Sequence, residues 1–110
     1  MDYREFNGVE DAWFWFCATM TAEQSGFRPQ TDAVELPRIC DKHSFYKILK
    51  GLKNEGALTN KHLRVISFYG QSFISPLYDK RAKHSDKQIW KDAMYKLEKR
   101  LIEKGVLNAF

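Results

Sequence analysis

Apolar residues Trp90, Ala93, Met94, Leu97 and Leu101 recur at the three- and four-residue spacing that lines one side of an α-helix, and this stripe constrains the fold more than any other feature. Ser85 stands before it with Gln88 three residues on, the spacing of a capping box in which side chains satisfy free N–H groups of the first turn. Lys104 suits the negative end of the helix dipole, and Gly105 accepts the positive φ at which helices stop. The spacing predicts a helix over 86–104.

Glycine and proline divide the remainder into three more helical segments, with no internal repeat or low-complexity tract between them. The first is expected over 9–23 and closed by Gly26, with Val9, Ala12, Trp13, Phe16, Cys17 and Met20 on one face. Phe14 and Trp15 point elsewhere, so this helix is apolar on more than one side and either sits centrally or offers aromatics to a partner. The second is expected over 42–54, capped by Asp41 and ended by Gly56, and it buries Phe45, Ile48, Leu49 and Leu52. The third is expected over 60–69, capped by Thr59 or Asn60 and ended by Gly70. Residues 26–41 read as a strap whose Phe27, Val34, Leu36 and Ile39 cover the core, and Pro76 argues against continuous helix between Gly70 and Ser85. The expected architecture is all-α, a compact bundle of four main helices with a helix-turn-helix-like pair in the middle, forming one domain over 1–110.

Composition sets the function classes. Hydrophobic residues at 44% and charged residues at 29% give a chain that can build a core, unlike a disordered one. Cys17 and Cys40 lack C-x-x-C partners and read as cytosolic thiols rather than a disulfide. The apolar run 12–17 is too short for a signal peptide or a membrane span, so the expected setting is the cytoplasm. Charge is divided unevenly. Residues 1–41 hold three basic side chains against eight acidic ones, net −5, whereas residues 42–110 hold fifteen against six, net +9. Such a dipolar molecule attracts polyanions over roughly 8 Å at physiological salt.

No catalytic string is present. The chain has neither the G-x-S-x-G nucleophile elbow nor a G-x-x-x-x-G-K-[ST] phosphate loop. His43, His62 and His84 lie about twenty residues apart and lack the i, i+4 spacing that brings two imidazoles to one metal. The expectation is a protein without catalytic residues, metal, cofactor or small-molecule substrate. His62 falls within the apolar arc of the third helix and reads as a buried, hydrogen-bonded histidine.

The remaining constellation is the second and third helices with their short glycine-containing turn, the outline of a helix-turn-helix whose latter helix enters the major groove. Lys61, Arg64 and Ser67 lie on the polar side of that latter helix, with Phe68 beside them. Lys80, Arg81, Lys83 and Lys87 form a basic arm suited to a phosphate backbone, extended by Lys91, Lys96, Lys99 and Arg100 and interrupted by Asp86, Asp92, Glu98 and Glu103. Asp92 and Lys96 have the spacing of a helical ion pair.

The strings DAWFWF, LPRIC, HLRVISFYG and WKDAMYKLEKRLIEKG resemble a group of small helical bacterial proteins whose motifs are tied to no known reaction, over most of residues 9–106. The order of helix, turn, HLRVISFYG and a tryptophan-led helix is also similar in pattern to phage-type transcription regulators with helix-turn-helix modules. The resemblance implies bacterial cytoplasm. The expected function is a small DNA-associated regulator. The alternative is an interaction module or homodimer that docks through Phe14 and Trp15 without nucleic acid.

Overall fold

α1 (Val9–Ser25) carries apolar side chains on more than one side, and the fold places this helix against the other three, burying Ala12, Trp13 and Phe16 and packing Val9, Phe14, Trp15, Cys17 and Met20 against the core. In the computed structural model, which describes residues 6–25 and 40–107, α1 is followed by α2 (Lys42–Asn54), α3 (Asn60–Ser72), a 3-10 turn (Pro76–Tyr78) and α4 (His84–Glu103). The protein is all-α over these residues, a four-helix bundle with the α2–turn–α3 pair in its middle. The expected strap over 26–41, including Phe27, Val34, Leu36 and Ile39, lies outside the described residues except for Cys40 and Asp41.

The core is aromatic where α1 meets α2. Phe16 and Phe45 stack with centroids 4.7 Å apart, and Trp13 and Trp15 close around Phe45 at 6.4 and 6.1 Å. Toward α4, Phe14 stacks on the fully buried Trp90 at 5.9 Å. The Trp90 indole N–H finds its partner in Glu10, donating to Oε2 at 2.7 Å, so the first turn of α1 satisfies the polar atom that α4 buries.

α1 and α3 cross at Gly70, and this crossing corrects the expected end of α3. Gly70 is buried inside the last turn of α3, where a Cβ would sit 2.6 Å from Cys17 Sγ and 2.9 Å from Trp13 Nε1. The absent side chain lets the Trp13 indole reach α3 and donate to the Ile66 carbonyl at 2.9 Å, using the second lone pair of a helical acceptor. Gly70 therefore serves close approach rather than termination, and the helix runs three residues past the expected end at residue 69, to Ser72. Phe73 then turns the chain with φ 56°, a left-handed conformation costly for a residue with a Cβ, and its ring packs edge-on against Phe14 at 6.3 Å.

Two other boundaries differ slightly from expectation. α1 continues to Ser25 rather than Glu23, and the expected closure at Gly26 lies outside the described residues. α4 starts at His84 with Lys83 as an N-cap that makes no side-chain hydrogen bond, so the Ser85–Gln88 capping box does not form. Elsewhere the caps follow the residues: Asp41 accepts from Ser44 N–H at 2.7 Å.

α2 and α4 end identically. Gly56 and Gly105 take φ of 80° and 77°, and the amides of Ala57 and Leu58, like those of Val106 and Leu107, donate back to Leu52 and Leu101. Leu58 and Leu107 thereby return to the core. In the same register Lys42, Tyr46, Lys47 and Lys50 correspond to Lys91, Tyr95, Lys96 and Lys99. This short internal likeness departs from the expected absence of repeats, and it escapes a search for repeats because it is confined to one helix and its cap in each half.

The Gly70 crossing generates a stability prediction. Gly70→Ala gains about 1 kcal/mol of helix propensity but forces the α1–α3 contact apart, at roughly 1–3 kcal/mol for overpacking plus the Trp13–Ile66 hydrogen bond. A net loss of about 1–3 kcal/mol in urea denaturation is expected. Adding Cys17→Ala, which removes the nearest atom, should restore part of it; a neutral Gly70→Ala would refute the crossing.

Candidate functional site

α3 begins with a capping box of unusual composition. Thr59 accepts from His62 N–H at 3.3 Å, and His62 Nδ1 accepts from Thr59 N–H at 3.1 Å, so a histidine takes the place usually held by Glu or Gln. Burial of Ile66, Tyr69 and Gly70 then turns Asn60, Lys61, Arg64, Ser67, Phe68, Gln71 and Ser72 outward. The extension past Gly70 adds the last two to this face. Neither α3 nor α2 contains a single Asp or Glu, so both expose cations without carboxylates of their own.

A cleft lies on either side of this outer face. One, of about 520 Å3, has a floor of Trp13, Phe16, Cys17 and Met20, with Lys50, Lys53 and Asn54 of α2 on one wall and Leu63, Ser67 and Gln71 of α3 on the other. The second, of about 600 Å3, lies between Arg64, Phe68 and Ser72 of α3 and the segment that carries Ile74, Asp79, Arg81 and Lys83. The left-handed turn at Phe73 reverses the chain to form that second wall. Ser75 caps the 3-10 turn, and Asp79 pins the basic loop by accepting from Arg81 N–H at 2.9 Å.

Arg64, Arg81 and Lys83, three of the residues expected to meet nucleic acid, thus come from two elements to one cleft, with Lys61 beside them on the exposed face. Ser67 lines the other cleft. Lys80 is exposed but lines neither, and Lys87 is half-buried in the first turn of α4. The two carboxylates in the second cleft are both engaged: Asp79 with Arg81, whose guanidinium lies 3.7 Å away, and Asp86 as acceptor of the Tyr69 hydroxyl at 2.8 Å. Among the described residues Lys61, Arg64, Lys80 and Lys83 make no ion pair. The α4 extension of the basic field is weaker than its sequence implies, because Lys96 pairs with Asp92 at 3.0 Å and Arg100 with Glu55 and Glu103. Lys50 and Lys53 belong to the constellation and were not among the expected contacts; the unbroken absence of acidic residues from two successive helices is the signal that points to them. Phe68, expected beside Lys61, Arg64 and Ser67, lines the second cleft.

Phe14 and Trp15 are used inside the fold. Phe14 lies between Trp90 and Phe73, and Trp15 between Phe6 and Phe45, at 5.3 Å from Phe6. Both are half-buried against the core, which is the central placement rather than an outward docking pair.

His62 is engaged at both nitrogens and is 14% exposed. Because Thr59 N–H can only donate, Nδ1 accepts and Nε2 carries the proton given to Asp92 Oδ2 at 2.6 Å. Hydroxyl, imidazole and carboxylate stand in the order of an acyl-transfer relay, with Thr59 Oγ1 2.8 Å from Nδ1. However, the Nδ1 lone pair is already held by the Thr59 amide, and none of the clefts described above includes Thr59, His62 or Asp92. The network ties the start of α3 to α4. Burial pushes the Cys17 thiol up to about 12, which removes it as a nucleophile near neutrality. Among the described residues no group of three or more His, Cys, Asp or Glu could hold a metal, and no helix is long and apolar enough to cross a membrane. No family model, curated protein or solved structure matches the chain.

Two titrations test this electrostatic frame. The Lys96 ammonium, and after it His62, hold the Asp92 carboxyl below its ordinary range. A lowered folded value means stability present above the unfolded value, about 4, and lost as pH falls through the folded one. Asp92→Asn should therefore cost up to about 1 kcal/mol at neutral pH, since the carboxylate is largely in solvent. The gap to the parent should close in denaturation curves taken below about pH 4. Burial, and then the Asp86 partner, push the Tyr69 phenol up to about 12. Its contribution is complete below the unfolded value, about 10, and is lost as pH rises through the folded one. Ultraviolet titration should show one tyrosine ionising last, and Asp86→Asn should bring it down.

Proposed function

We propose that the protein is a DNA-associated module, of the regulator type expected from its sequence, that contacts the phosphate backbone through the outer face of α3 and the basic loop after it. The observation that carries this reading is the acid-free exposed face of α3, whose Lys61 and Arg64 stand beside a cleft that Arg81 and Lys83 close from the opposite side. Four cations within two short elements, of which Arg81 is paired with Asp79 while Lys61, Arg64 and Lys83 make no ion pair among the described residues, form a field that a polyanion neutralises. Lys50 and Lys53 extend the same field across the first cleft. The two cysteines are both free thiols, which suits a cytoplasmic setting.

Protein docking is the rival reading, and its residues differ from those expected. With Phe14 and Trp15 half-buried against the core, the exposed large apolar side chains among the described residues are Tyr46, Phe68, Phe73, Ile74, Leu77, Tyr78 and Tyr95. Binding of labelled DNA at two salt concentrations separates the two. Five phosphate contacts, from Lys61, Arg64, Lys80, Arg81 and Lys83, correspond to log K falling with log salt at a slope of about −4.5 on duplex and about −3.5 on single strands. Lys61→Glu with Arg64→Glu should abolish binding without lowering the melting temperature. Absence of binding to any nucleic acid at about 50 mM salt, or binding indifferent to the double substitution, overturns the proposal.

A further inference from the structure

Phe68 is an apolar ring that the fold does not bury. It is 63% exposed in the middle of an otherwise polar helix face, one turn beyond Arg64, on the rim of the cleft that Arg81 and Lys83 share. Its neighbour Tyr69 supports it edge-on, with centroids 5.0 Å apart and planes at 88°, and Tyr69 is itself anchored through its hydroxyl to Asp86. The ring is therefore braced from beneath and wet above, the condition of a stacking platform.

Resting on the nucleic-acid reading above, we infer that this cleft takes an unpaired nucleotide, the base stacking on Phe68 and the phosphate meeting Arg64, Arg81 and Lys83. A base in a duplex already stacks on both faces and offers Phe68 nothing. A base in a single strand has a free apolar face and gains by covering the ring. The phosphate of the same nucleotide needs cations within a few ångströms of that ring, and the cleft walls carry three. Asp79 and Asp86, the acidic residues of the cleft, are turned to the Arg81 loop and to the Tyr69 hydroxyl, so they hold the platform and its cationic wall in place. At about 600 Å3 the cleft is within the size range of small-ligand sites. Arg81 is paired with Asp79 at 3.7 Å, but with its side chain 95% exposed it can exchange that carboxylate for the phosphate.

The test uses the full chain and fluorescence anisotropy with labelled single-stranded DNA, single-stranded RNA of the same sequence, and the blunt duplex. Single strands should bind more tightly than the duplex. Phe68→Ala should weaken them roughly 5- to 150-fold and leave duplex binding unchanged. Phe68→Trp should restore the affinity, and thermal melting should be the same for all three proteins because the ring is in solvent. Both sugars carry the same base face and phosphate, so a Phe68-dependent signal with either strand supports the inference, and their ratio identifies the source. Duplex binding equal to or tighter than single-strand binding, or single-strand binding indifferent to Phe68→Ala, overturns the stacking site while the backbone reading survives through Lys61 and Arg64. If no nucleic acid binds at all, both are overturned.

Discussion

The contact on which the remaining structure depends is the crossing of α1 and α3 at Gly70. A helix as apolar as α1 is stable only when surrounded, and α3 can reach it closely only where one of its residues has no side chain. The Trp13 indole passes through that gap and bonds the Ile66 carbonyl, which turns a hydrophobic contact into a directed one. From this contact the orientation of α3 about its own axis follows. Ile66, Tyr69 and Gly70 face inward, and the polar, acid-free arc faces solvent. The same gap allows α3 to continue to Ser72, so the left-handed turn at Phe73 lies where the returning chain can form the wall of the second cleft.

Polar side chains then fasten the elements that the aromatic core brings together. Glu10 holds the Trp90 indole, Asp86 holds the Tyr69 hydroxyl, and His62 joins the cap of α3 to Asp92 on α4. Each links two helices. Asp92 also takes Lys96, and Glu55 and Glu103 take Arg100. The net positive charge of the latter part of the chain is thus sorted by packing, with Lys96 and Arg100 of α4 and Arg81 of the loop paired to carboxylates, and Lys61, Arg64, Lys80 and Lys83 left without an ion pair among the described residues. That sorting gives the proposed interface its location. It also explains why a chain with a modest overall charge can carry a localised cationic field.

A good deal of this was legible beforehand, and the reasons are local. The stripe from Trp90 to Leu101 repeats at helical spacing, Asp41 and Gly56 bracket α2, and Asp92 and Lys96 stand one turn apart. Each depends on neighbours within a few residues, so sequence alone suffices. The misjudged points involve distant partners. Gly70 looks like a terminator until Trp13 and Cys17 are known to press against it. The Ser85 cap is not used because α4 starts earlier. For Phe14 and Trp15 the sequence left both a central and a docking placement open, and Trp90, Phe73, Phe6 and Phe45 lie around them. Of the expected interface residues, Arg64, Arg81 and Lys83 converge because Phe73 reverses the chain, which no local rule anticipates.

By itself the sequence determined that this protein is helical, where three of its helices begin, and that its positive charge follows residue 41. Periodicity, caps and composition act over one or two turns and need no fold to express them. Tertiary structure alone decided which cations remain unpaired, that Phe68 stands at the rim of a cleft they share, and that two clefts flank α3. Those outcomes depend on which side of each helix is buried, and that is chosen by contacts such as Trp13 on Gly70 between residues far apart in the chain.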